Sequence, residues 1–208
     1  AKAAEALGRR VALIASGDLS HKLKESGPYG FASEGPEFDK RMAEALGSGD
    51  FLSILGVPPG FAEKAAECGL RSFQIMAGAL DRKAVTHELL SYEGPFGVGY
   101  GVAFFDVTGE DAARDFGVQF EREEKNRLTE RKAREDEYVR LARLSLETYV
   151  KTGKRAALPD SVSGEMLGNR AGAFVSLKKH GQLRGCIGTI SPATGSVAEE
   201  IMRNAVSA

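Results

Sequence analysis

The chain has 208 residues, with 28 Lys and Arg against 29 Asp and Glu; this balance offers no long-range pull toward nucleic acid or an anionic membrane. A hydrophobic content of 42% supports one or two packed cores, and no stretch approaches the roughly eighteen apolar residues of a membrane span. Cys68 and Cys186 lie far apart and read as reduced cytoplasmic thiols, and no signal peptide is visible. The chain opens on Ala1 without a methionine and closes at Asn204–Ala208 inside a helical pattern, so both ends read as cut from a longer polypeptide.

Residues 1–9 read as the end of a helix. Val11–Ala15 is apolar and reads as a buried strand that stops at the small polar turn Ser16-Gly17-Asp18-Leu19-Ser20-His21. Ligands in α/β sheets collect beyond the carboxyl ends of strands, so a histidine here is placed to exchange a proton. A loop histidine bonded to the backbone fits the same position. Pro36 suits the first turn of a helix reaching about Leu46, with Phe38, Met42, Ala45 and Leu46 on one face. Asp50 is placed to cap a short helix over Phe51–Leu55. Pro58-Pro59 then resets the direction, Phe61–Cys68 reads as a helix closed by Gly69, and Arg71–Leu80 as a more apolar one. Val85–Tyr92 and Val98–Phe105 read as the strands of a hairpin.

From Glu110 to Arg140 the composition turns to Glu, Arg and Lys, as in a solvated linker helix with paired charges. Tyr138 to Tyr149 then carries apolar residues at helical spacing, up to Gly153. Ala173–Leu177 reads as a strand, His180-Gly181-Gln182 as a turn, Leu183–Ile190 as a second strand and Ser196–Ser207 as a helix. This places domain limits at 1–109, 110–137 and 138–208. The expected fold class is α/β with a central sheet and flanking helices, followed by a partial α+β domain.

Ser16–His21 resembles the histidine motif of LigB-type class III extradiol ring-cleavage dioxygenases, and Memo-like proteins carry a similar segment. The resemblance runs on through Gly35-Pro36-Glu37-Phe38-Asp39, Glu67-Cys68-Gly69-Leu70-Arg71 and Gly78-Ala79-Leu80-Asp81 to Leu90–Tyr100. It looks like the C-terminal half of such a domain. It implies a ferrous, or other divalent, metal cofactor held by two imidazoles and one carboxylate, with a small aromatic diol as substrate. Both histidine ligands are expected upstream of these residues. His21 is then an acid–base group and not a ligand, flanked by Asp18 and Ser20. Asp18 either orients the imidazole or caps the turn.

The carboxylate ligand falls on Glu67 or, one residue on, at Cys68, where Memo-like proteins carry a metal-binding cysteine. A cysteine favours copper or zinc over iron turnover. Tyr29, Tyr92 and Glu93 could line the pocket. His87, in a strand, and His180, in a turn, are weaker ligand candidates.

Residues 138–208 resemble the AMMECR family through Arg170–Leu177, Leu183-Arg184-Gly185-Cys186-Ile187-Gly188 and Glu199-Glu200-Ile201. Arg184 and Cys186 alternate along a strand and so share a face, where the guanidinium could activate the thiol. A small buried cysteine between two glycines that allow close packing is the plainer reading of the same residues. A LigB/Memo-like half joined to an AMMECR half matches the arrangement of AmmeMemoRadiSam proteins. That arrangement implies either a dioxygenase-type enzyme or a metal-binding, protein-interaction module. A second copy of the chain and a radical-SAM protein are the partners it suggests.

Overall fold

The computed structural model describes residues 6–179 and 181–208. They fall into two units, 1–125 and 126–208. No described helix is long and apolar enough to cross a membrane.

The first unit is built on helix α1 (Glu34–Ser48), which buries Phe38, Asp39, Met42, Ala45 and Leu46. Gly49 closes it in the left-handed conformation at φ 67°. Helix α2 (Phe51–Leu55) starts under Asp50, whose carboxylate accepts the Ser53 amide at 3.0 Å. Helix α3 (Pro59–Ala65) has proline in its first turn, where no amide is missed. Helix α4 (Leu70–Ala79) packs against α2, and α1 packs against α3. Strands β1 (Lys83–Glu93) and β2 (Tyr100–Glu110) form an antiparallel hairpin, with α1 packed on β1. The core gathers Phe38, Met42, Phe51, Ile54, Ala65 and Ala77, all almost fully shielded from solvent. Arg114 lies over the Phe51 and Phe116 rings at 5.3 and 4.9 Å.

The second unit takes in the end of α5 (Phe116–Ala133), followed by α6 (Glu137–Thr152), the short α7 (Gly164–Gly168), β3 (Phe174–Lys179), β4 (Gln182–Gly188) and α8 (Val197–Ser207). Strands β3 and β4 pair antiparallel. Asp136, Ser163 and Ser196 each cap a helix through a side-chain oxygen. The amphipathic α6 and α8 pack together over Leu141, Met166, Ala198 and Ile201. Thus a mixed α/β region precedes an α+β region.

Three expectations change. Val11–Ala15 pairs with no strand among the described residues. Its apolar side chains are open to solvent, with Val11 68% and Ile14 89% exposed. The sheets described are two-stranded hairpins, without a broader central sheet. Helix α3 ends three residues early, at Ala66 with φ 53°, and Gly69 instead opens α4. Glu67 makes that early stop favourable by turning back to α4, as described below. Of the N-terminal helix, residues 1–5 lie outside the described residues; residue 6 is helical and a turn follows. His180 also lies outside the described residues.

Candidate metal centre

The turn before His21 is fixed by backbone bonds running in three directions. Leu19 donates its amide to the Gly99 carbonyl at 2.9 Å, and Gly99 donates to the Ser20 carbonyl at 2.7 Å. The His21 amide reaches the Ala65 carbonyl at the end of α3, at 3.3 Å. The Asp18 carbonyl accepts the Gly69 amide at 3.0 Å, which ties the turn to the start of α4. Gly17 makes this approach possible. At φ 153°, a Cβ there would collide with Gly69 Cα and stand 3.0 Å from the Cys68 carbonyl.

These bonds bring Asp18, His21 and Cys68 together. One potential ligand atom from each lies within 4.8 Å of the others. His21 Nε2 is 3.3 Å from Asp18 Oδ2 and 3.8 Å from Cys68 Sγ, and the Asp18 amide donates to that sulfur at 3.2 Å. One imidazole nitrogen therefore faces a carboxylate and a thiol at once. A single proton, or a single cation, can be shared among the three. Cys68 is exposed and the other two are half-buried, so the cluster is reachable from solvent. Tyr29 stacks on the His21 ring, centroids 5.1 Å apart and planes 26° apart. Asp18 and Gly17 also border an open cavity of about 910 Å³, walled by Val11, Ile14, Phe73, Met76, Val102 and Phe104.

Glu67 stands apart. Its Oε2 accepts the Leu70 amide at 2.6 Å, capping the first turn of α4, where Gly69 has no side chain to do so. Of the two adjacent candidates, Cys68 meets His21 and Glu67 serves a helix end. Ser20 is fully buried and points inward. Its hydroxyl donates to the Ala65 carbonyl at 2.8 Å and accepts the Lys22 amide at 2.9 Å. Its geometry is that of a residue that positions the turn. His87 donates Nδ1–H to the Gly47 carbonyl at 2.9 Å and lies against Gly49 and Phe105, outside the cluster. Glu93 ends β1, exposed.

The arrangement also depends on Asp39, which sequence reading passed over. Its carboxylate is fully buried and accepts the Ser20 amide at 2.7 Å and the Tyr92 hydroxyl at 2.8 Å. Burial pushes its pKa above the ordinary value, against those two hydrogen bonds. Burial and the Asp39 carboxylate both push the Tyr92 hydroxyl up. A carboxylate next to Phe38 and three residues before Met42, on the apolar face of α1, was the available signal.

In the second unit Cys186 is exposed, which corrects the buried alternative. Its Sγ accepts the Ser176 hydroxyl across the hairpin at 3.2 Å. Arg184 is also exposed, and among the described residues no hydrogen bond joins it to that thiol.

The donor set of the first unit is one imidazole, one thiol and one carboxylate. It does not by itself fit the two imidazoles and one carboxylate of a ferrous triad. It does fit one side of a softer centre with sulfur, nitrogen and oxygen donors.

Comparison with known proteins agrees with this order of regions. Residues 1–103 match the family described as the catalytic LigB subunit of aromatic ring-opening dioxygenase. Residues 139–208 match the AMMECR1 family. The first part of the chain is thus similar to the LigB family and the last part to the AMMECR1 family. It is 45% identical to Protein CA_C1420 of Clostridium acetobutylicum over all 208 residues, which is 44% of that protein's length. A protein of Thermotoga maritima is 47% identical over 75 residues, 36% of this chain and 43% of that protein. One of Methanococcoides burtonii is 43% identical over 75 residues, 35% of each. The chain thus spans less than half the length of the curated relatives it matches. The LigB match implies a metal cofactor for the first region.

Proposed function

We propose that the first region supplies one side of a divalent-metal centre of the Memo-like kind, with Cys68 and His21 as ligands and Asp18 beside them. The observation that carries this reading is the convergence of the three side chains within 4.8 Å, with Glu67 turned to a helix end. A thiolate next to an imidazole favours copper or zinc over iron. The remaining donors are assigned to residues of the full-length protein outside 1–208. The limits 1–109, 110–137 and 138–208 describe the LigB/Memo-like part, the charged linker and the AMMECR-like part. The fusion is that of an AmmeMemoRadiSam protein. We place it in the cytoplasm, where thiols stay reduced. A second copy or a radical-SAM protein is the partner to test.

Extradiol ring cleavage is the second reading, favoured by the LigB match and by the bond between His21 and Asp18. In it His21 moves a proton to or from a catechol-like diol and is not a ligand. One imidazole cannot complete a ferrous triad, so this reading requires two histidines from elsewhere in the protein.

Metal content of three variants of the full-length protein separates the readings. The Memo-like centre predicts that Cys68→Ser and His21→Gln both lose bound metal and that Glu67→Ala keeps it. Ring cleavage predicts that His21→Gln keeps iron but no longer opens catechols, and that Glu67→Ala loses iron.

A further inference from the structure

Asp39 is a fully buried carboxyl group bonded to Ser20, the residue before His21 of the cluster. It costs desolvation to keep a carboxylate there, and a neutral residue of similar shape would avoid that cost. What the charge gains is a pair of short bonds from two different elements, Ser20 of the turn and Tyr92 of β1. Space has been left for it. A Cβ on Gly99 would collide with Asp39 Oδ2. The bond to the Ser20 amide fixes the Leu19–Ser20 peptide, one residue before His21. The same residue is held by Ala65 through its hydroxyl and by Gly99 through its carbonyl.

An asparagine could keep the Ser20 bond through its Oδ1 and donate its NH₂ to the Tyr92 hydroxyl oxygen, whereas a leucine of similar size would keep neither bond.

We infer that Asp39 is a positioning residue for the metal centre: through the Ser20 amide it sets the place of His21, and Tyr92 holds the carboxylate for that task. This rests on the Memo-like reading. Groups that orient metal ligands from behind typically contribute about 10–100-fold to affinity. Asp39 acts through the backbone, so the expected effect lies toward the lower end.

The test uses zinc titration of the full-length protein, with cobalt(II) as a spectroscopic probe of thiolate ligation. Asp39→Leu, which removes both acceptors, should weaken zinc binding by about tenfold and shift the cobalt spectrum. Tyr92→Phe, which leaves the Ser20 bond, should weaken it by less and shift the spectrum in the same direction. Ile54→Val, fully buried in the same core, should lower stability and leave both readouts unchanged. A purely structural Asp39 would make Tyr92→Phe and Ile54→Val behave alike. If Asp39→Leu, or Tyr92→Phe where the first does not fold, binds zinc and cobalt as the parent does, the inference is overturned. If the parent protein itself binds neither metal, the Memo-like reading falls, and the role of Asp39 with it.

Discussion

Gly99→Ala offers a sharp perturbation of the site from behind. The added methyl would overlap Asp39 Oδ2 and stand 2.7 Å from Asp39 Cγ and 3.0 Å from Leu19 Cβ. Carbon atoms pack at about 3.5–4.0 Å, so the neighbours must give by about 1 Å. They cannot do so freely. Asp39 and Leu19 are both fully buried, and Asp39 is tied at 2.7 and 2.8 Å to Ser20 and Tyr92. Overpacking of this kind costs about 1–3 kcal/mol, and straining a buried hydrogen bond to a charge about 1.5–3 kcal/mol. The two overlap, for a total near 2–4 kcal/mol. Gly101→Ala is the matched control, because its methyl would meet only Leu19 Cδ1 at an ordinary 3.4 Å. Native-state hydrogen exchange of the peptide covering residues 16–23 reads the local effect. Protection there should fall by roughly 30- to 700-fold in Gly99→Ala, at 1.4 kcal/mol per decade, and by less than about threefold in Gly101→Ala. Equal protection in the two variants would refute the idea that the Asp39 carboxylate is rigidly seated.

In the second unit, Glu200 accepts hydrogen bonds from the Thr189 and Thr194 hydroxyls and the Ala193 amide, and its pKa is held down to about 2 from an ordinary 4.5. A depressed folded-state pKa stabilises the fold above the unfolded value, and that contribution is lost as pH falls from 4.5 toward 2. Acid unfolding followed by circular dichroism should therefore lose part of its dependence in that window in Glu200→Gln; an unchanged acid limb would contradict this. Alkylation with iodoacetamide should modify both exposed thiols, Cys68 and Cys186, in the native protein. Zinc should then protect Cys68 and leave Cys186 reactive, as mass spectrometry of the peptides would show.

Much of the fold was legible because local rules and packing agree. The apolar spacing Phe38, Met42, Ala45 and Leu46 marks α1, Asp50 caps α2, and Gly153 closes α6 at φ 70°. The failures have physical causes. Val11–Ala15 has strand composition, but a strand needs a hydrogen-bonded neighbour, which composition does not reveal. Gly69 looked like a helix stop because glycine often is one. The structure uses it instead for a close approach to Gly17, and lets Ala66 adopt the left-handed turn. The Glu67/Cys68 ambiguity could not be resolved by one-dimensional pattern, because adjacent residues at a helix boundary point in different directions. Asp39 stood within a quoted motif, but its partners Ser20 and Tyr92 are 19 and 53 residues away. Such separations carry no local signal.

X-ray absorption on the zinc- or copper-loaded full-length protein tests the central claim most directly, since it reports whether Cys68 sulfur binds the metal. The account predicts a sulfur scatterer at about 2.3 Å for zinc, lost in Cys68→Ser and retained in Glu67→Ala. A first shell of nitrogen and oxygen alone, unchanged in Cys68→Ser and altered in Glu67→Ala, would contradict it.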